Sequence, residues 1–340
     1  NAAVTLFKPA PAIRVRYSMY PDTPVPPDEP YAENPPDGAV IDYFLKRDAA
    51  GPVKIEILGE KGRVVRTFSS TDAAEQPRDV GNWPYYWFRP PQVMGTKAGL
   101  QRYVWDLHYT PPGGTCELPI SATPFNTKCE PEGPWVHPGA YTVRLTVDGV
   151  SYTQPLTVTM DPRVKTSPAD LARQGTLSLA LYDAALEAPA VAKQIRAVHA
   201  QLAARVAGAT GTLATEITAL AARLDALAGP DAPAGGGRGG RGGAAAGATE
   251  SFSTISGKFL PVMALLQGAD SPPTTQAVTV ANERLKTLAA LRATWAGITA
   301  RDIPAINAKL KATGSAPITI GAADRQWLTP QDVRRAVGLP

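Results

Sequence analysis

A chain of 340 residues has room for about two domains, and its 44% hydrophobic content is enough to bury real cores. The net charge of +4 is small and spread along the chain. It gives no argument for a nucleic acid or a membrane surface as partner. No run of about 18 apolar residues is present, so nothing reads as a bilayer span. The chain begins with Asn1 and shows no signal-peptide apolar core. That reads as a mature product, a proteolytic piece or a trimmed chain.

Residues 1–38 are extended and proline-rich, from Pro9 and Pro11 to Pro35 and Pro36. Proline fixes φ and lacks an amide donor, so this stretch reads as an irregular or polyproline-like connector. Ala39–Arg47 has a strand composition. In Val53–Leu58, Val53, Ile55 and Ile57 alternate with Lys54 and Glu56, and Gly59-Glu-Lys-Gly62 reverses the chain into Arg63–Phe68. That is the pattern of a hairpin. Leu100–Tyr109 follows a long loop and places Tyr103, Trp105 and Leu107 on one face. After a second long loop, Ala140–Val147 and Ser151–Met160 form another hairpin around Asp148-Gly149. Six or seven antiparallel strands in residues 39–162 predict an immunoglobulin-like antiparallel β-sandwich.

The second loop holds Cys116 and Cys129, the only cysteines. A disulfide is the expectation and two free thiols the alternative. A metal would need more ligands than the flanking His108 and His137 provide. A disulfide implies an oxidising compartment, hence a secreted or periplasmic protein.

The periodicity changes after Asp161-Pro162. Ser167-Pro-Ala-Asp170 is a helix start with serine at the N-cap and proline at the first helical position. Apolar stripes with steps of three and four follow: Val191–Val206, Leu213–Leu227, Ile255–Leu266 and Val278–Ile298. They mark amphipathic helices. Pro189 and Pro304 are expected to kink or break the first and last of them. The prediction for 163–313 is therefore an antiparallel four-helix bundle. The Gly/Ala/Arg tract within 234–248 reads as a flexible loop, and 314–340 as a tail of no clear type.

The order of these motifs resembles a known pattern. Leu6-Phe-Lys-Pro9 and Asn34–Lys46 come first. The hairpin Val53–Phe68, then Ala98–Leu107, then Pro138–Gly149 follow, and Asp161-Pro-Arg-Val164 leads into the helices. This resembles the C-terminal region of large secreted bacterial proteins with sortilin-like β-propellers. Such proteins are often labelled glycosyl hydrolases with bacterial neuraminidase repeats. The hairpin-rich part also resembles the immunoglobulin-like domain of the flagellar hook-capping protein. The resemblance covers most of residues 1–312. The propeller's own Ser-x-Asp-x-Gly-x-Thr-Trp-type turns appear nowhere in this chain. Any hydrolase activity that the family label implies would then belong to a propeller outside it.

Among residues that carry chemistry, Trp83, Tyr85, Tyr86, Trp87 and Phe88 form the sharpest candidate. Planar rings stack on sugars and anchor protein contacts. The bland reading is that they cover one end of the sandwich. Asp106 and His108 lie two apart on one strand face, and Glu117, Glu130 or Glu132 would supply a second carboxylate. Glycosidases need two carboxylates at a set separation. Trp105 reads as core and Asp106 as a strand-edge hydrogen-bonding group, so no catalytic residue is assigned. Arg238 and Arg241 are too few for an arginine-glycine RNA-binding segment, and His199 reads as a helix-boundary residue. No phosphate loop, dinucleotide fingerprint or nucleophile elbow is present, and no cofactor or metal is expected. The resulting expectation is a non-catalytic structural or binding module of a secreted β-propeller protein. Its partner would be a propeller of the same polypeptide or of another chain, with an extracellular carbohydrate or protein as ligand. Two alternatives stand beside it: an accessory part of a glycoside hydrolase, and a freestanding extracellular assembly subunit.

Overall fold

The computed structural model describes residues 2–16, 28–30, 36–72, 92–112, 132–230 and 250–323. The chain divides into two compact units, with the division between Gly175 and Thr176.

The first unit holds eight described strands: β1 Val4–Leu6, β2 Ala12–Arg14, β3 Ala39–Leu45, β4 Lys54–Leu58, β5 Val64–Ser69, β6 Gly99–Trp105, β7 Gly139–Val147 and β8 Val150–Met160. They form a three-stranded sheet in the order β1-β3-β6 and a five-stranded sheet in the order β2-β8-β7-β4-β5. The alternation seen in the sequence sets the faces. In β3, Ala39, Ile41, Tyr43 and Leu45 are buried while the residues between them are not. These four pack with Ile55, Ile57, Tyr103, Trp105, Val143, Leu145, Leu156 and Val158 in one apolar core. Both sequence hairpins form. Asp148 and Gly149 take positive φ of 49° and 79°, the mirror-image turn whose twist matches the flanking strands. The Asp148 carboxylate also accepts from the amides of Ala50 and Gly51 at 2.9 and 3.1 Å, tying down the turn before β4.

The proline-rich start supplies two strands. β1 pairs antiparallel with β3, and β2 pairs parallel with β8 through Ala12↔Val158 and Arg14↔Met160. Both are edge strands of three residues in proline-free gaps. Edges tolerate nearby proline, and three residues are too few for a period to be legible.

The second unit is helical. α1 Pro168–Val206 contains the division between the units, and α2 Gly211–Ala228, α3 Phe252–Ser256, α4 Phe259–Gln267, α5 Thr275–Gly297 and α6 Ile303–Ala312 follow. α1 continues through Pro189. Proline in a helix interior costs about 3 kcal/mol, and the burial of Ala188, Ala190, Val191 and Ile195 around an exposed Pro189 offsets it. The stripe Ile255–Leu266 is split between α3 and α4. α5 runs through a π-helical turn, Ile298–Asp302, into α6, where Pro304 sits in the first turn.

The immunoglobulin-like antiparallel sandwich followed by an antiparallel four-helix bundle is therefore corrected. The chain is a mixed α/β molecule. Among the described residues there are two sheets, one of which contains a parallel pair, and six α-helices. The strand order that distinguishes these architectures depends on long-range pairing, which local alternation does not encode.

Candidate functional site

β6 ends at Trp105, which is fully buried. Its indole N–H donates to the carbonyl of His108 at 2.9 Å, so the chain curls back around the ring. Leu107 makes the turn at a φ of 60°, which a branched side chain adopts only at a cost of order 1–3 kcal/mol. Its side chain is then driven into the core, 1% exposed. Beyond the turn the chain pairs with the segment after the cysteine loop. Val136 N–H donates to Leu107 O at 2.9 Å and Tyr109 N–H to Pro134 O at 3.0 Å, and His108 bridges Trp135. Gly133 permits this approach, since a Cβ there would lie 2.1 Å from Tyr109 O. Gly38 permits the matching one from β3. Its φ is +126°, and a Cβ would lie 2.0 Å from Trp105 O.

This turn presents Asp106 and His108 to Glu132. His108 is 2% exposed, with its ring centroid 3.9 Å from that of Trp135. Its Nδ1 lies 2.7 Å from the Asp106 carbonyl oxygen. A carbonyl only accepts, so Nδ1 carries a proton and donates. Nε2 is 3.9 Å from Glu132 Oε2, and Nδ1 is 4.0 Å from Asp106 Oδ2. One donor atom from each of the three residues lies within 4.8 Å of the others. Arg14, itself 2% exposed, donates to Val136 O at 2.9 Å. The Arg14 and Arg16 guanidinium groups lie 5.9 and 5.4 Å from the centre of the Trp135 ring, within cation–π range. Burial, and then the charge of Arg14, hold the pKa of His137 below its ordinary 6.5. A cleft of about 220 Å³ opens beside the cluster, lined by Pro11, Ala12, Ile13, Asp106, Leu107 and Trp135.

Sequence reading set Asp106 and His108 on one face of a strand running to Tyr109, with Glu132 one of three carboxylates considered beside them; the strand ends at Trp105 instead, and the positive-φ turn at Leu107 presents the two side chains. The structure brings Glu132 to them. Glu117 and Glu130 lie outside the described residues, as do Cys116 and Cys129 and the aromatics Trp83, Tyr85, Tyr86, Trp87 and Phe88. Sequence reading missed Arg14 and Trp135. Arg14 sits in a strand too short to announce itself, and Trp135 shows no local period.

A second feature is apolar. On the open face of the three-stranded sheet, Thr5, Phe44 and Leu100 stand in one cross-strand row. Phe7 follows Thr5, its amide bonded to Asp42 O. Phe7, Phe44 and Leu100 are 45%, 38% and 65% exposed, beside a bidentate Arg102–Asp42 ion pair at 2.8 Å. The stretch that follows the aromatic segment is fixed to this sheet. The Gln92 carboxamide donates to Val104 O and accepts from Val104 N–H, both at 2.9 Å.

Comparison with protein-family models, with curated proteins and with solved structures finds no match for the chain. No helix among the described residues is long and apolar enough to cross a membrane.

Proposed function

We propose that this chain is a non-catalytic docking module of a secreted β-propeller protein. It braces the propeller or binds an extracellular partner. The observation that carries this reading is the exposure of Phe44 and Leu100, paired across the three-stranded sheet, with Phe7 just past the end of β1. Clustered large apolar side chains at a surface mark interaction sites. The resemblance in motif order over residues 1–312 supports the choice of partner, and Trp83, Tyr85, Tyr86, Trp87 and Phe88, outside the described residues, are the further aromatic anchors that the sequence offers. The test is calorimetric binding to the separately produced propeller, together with turnover on an oligosaccharide panel. Trp83→Ala with Trp87→Ala, and separately Phe44→Ser with Leu100→Ser, should each weaken propeller binding by about 2 kcal/mol or more, roughly thirtyfold. No turnover is expected. Normal propeller binding by both double variants would reject the docking reading. Sugar turnover abolished by Glu132→Gln would favour the glycoside hydrolase alternative.

A further inference from the structure

We propose that Asp106, His108 and Glu132 form a binding site for one divalent transition-metal ion of the zinc class. Three observations carry it. The first is the donor set. An imidazole with two carboxylates, one donor atom from each within 4.8 Å of the others, suits zinc and its neighbours better than calcium or magnesium, which take oxygen alone.

The second is the orientation of the imidazole. Nδ1–H donates to the Asp106 carbonyl at 2.7 Å, and Trp135 packs on the ring. A backbone carbonyl holding one ring nitrogen is the usual outer-shell support of a metal-ligating histidine, because it fixes the tautomer and the ring orientation. That other nitrogen, Nε2, faces Glu132 Oε2 at 3.9 Å. Ligands of a tetrahedral zinc ion stand about 3.4 Å apart, given bonds of about 2.0–2.1 Å. A contraction of roughly half an ångström would close this edge of the site, and the side chain of Glu132, 30% exposed, has room to make it.

The third is position. Asp106 also lines the cleft of about 220 Å³, which offers space for a water in the coordination position that three protein donors leave open. Asp106 and His108 precede the cysteine loop and Glu132 follows it. An ion here would clip the two ends of that loop together, and closing a long loop is where such a clip stabilises most. Arg14 and Arg16, held against Trp135, weaken a cation's affinity, and the two carboxylates oppose them.

The ion binds deprotonated ligands, so its affinity should rise from pH 5 to pH 7. The experiment uses the full chain with its thiols alkylated, which removes Cys116 and Cys129 as ligands, after stripping by chelator and dialysis. Equilibrium dialysis against micromolar zinc chloride should retain one zinc per chain. Cobalt(II) should give a visible absorption band, and the melting temperature should climb with the logarithm of zinc concentration. Asp106→Asn with Glu132→Gln should abolish all three effects. Glu132→Gln alone, a milder change at a partly exposed position, should lower zinc affinity at least tenfold and keeps the test valid if the double variant does not fold. Less than about one-fifth of an equivalent retained by the wild-type chain overturns the proposal. So does equal zinc retention by wild type and Glu132→Gln.

Discussion

At the residue scale, the most exacting positions are buried polar groups whose partners come from distant sequence. Glu56 is 7% exposed on β4. It is held by Lys54 at 2.8 Å and by Arg144 of β7 at 2.7 Å. Burial pushes its carboxyl up, and the hydrogen bonds and charges of Lys54 and Arg144 more than offset this, leaving it below its ordinary 4.5. A carboxylate depressed in the folded state contributes stability that is present in full above its unfolded value. That stability is lost as pH falls through the lower folded value. Urea denaturation of the wild type should therefore weaken below about pH 4.5. Glu56→Gln should cost about 1–2 kcal/mol at pH 7, and part of the acid dependence should vanish with it. An unchanged slope of stability against pH in the variant would contradict this account. The sequence showed Glu56 as a polar residue alternating with Ile55 and Ile57. Only the pairing of β4 with β7, which sets Glu56 opposite Arg144, reveals why it tolerates burial.

At the element scale, the helical unit is fastened by single side chains that span gaps in the sequence. One Arg196 nitrogen of α1 donates to Gly229 O, Pro230 O and Ser253 Oγ at 3.0, 2.9 and 2.6 Å. Gly229 lies so close to Ser251 that a Cβ on it would fall 2.0 Å from the serine oxygen. The end of α2 and the start of α3 thus meet independently of the glycine-rich tract between them. Replacing residues 231–249 with a short Gly-Ser linker should leave the melting temperature within a few degrees, because closure entropy varies slowly with loop length. Arg196→Ala should cost about 1–3 kcal/mol. A collapse of the melting temperature on deletion would show that the tract packs against something. Carboxamides do similar work on the tail. Asn307 of α6 exchanges two hydrogen bonds with Ile318, at 3.0 and 2.7 Å. Gln201 of α1 exchanges two with Thr319, at 2.8 and 2.9 Å, and Ile318 is buried. The described part of the tail, 314–323, had no legible type because Thr319 is held by a side chain over a hundred positions upstream in α1.

At the scale of the whole molecule, each unit carries its own core. The first is centred on Ile41, Tyr43, Ile57, Trp105 and Leu145. The second is built on Ile195, Leu202, Ile217, Leu224, Phe252, Phe259 and Leu288, each fully buried. Scanning calorimetry should then depart from two-state behaviour, with a van't Hoff enthalpy below the calorimetric one. Glu56→Gln should shift one component, and Leu288→Ala, which removes a fully buried side chain at a cost of about 2–5 kcal/mol, should shift the other. A single transition that both variants move alike would refute independent units.

The sequence already displays which residues face inward and where the chain turns. Alternation in β3, β4 and β7, the Asp148-Gly149 turn, and the stripes of α2 and α5 are local patterns, readable because side-chain direction follows the backbone period. It also singled out Asp106 with His108. The rest came from the way the chain folds on itself. It enlisted β1 and β2 from a proline-rich stretch and paired β2 parallel with β8. It carried α1 through Pro189, and it brought Glu132, Trp135 and Arg14 to the Asp106–His108 turn. Each of these depends on contacts between residues far apart in the chain. Their free energy, from buried area and shared hydrogen bonds, outweighs the local preference that the sequence displays.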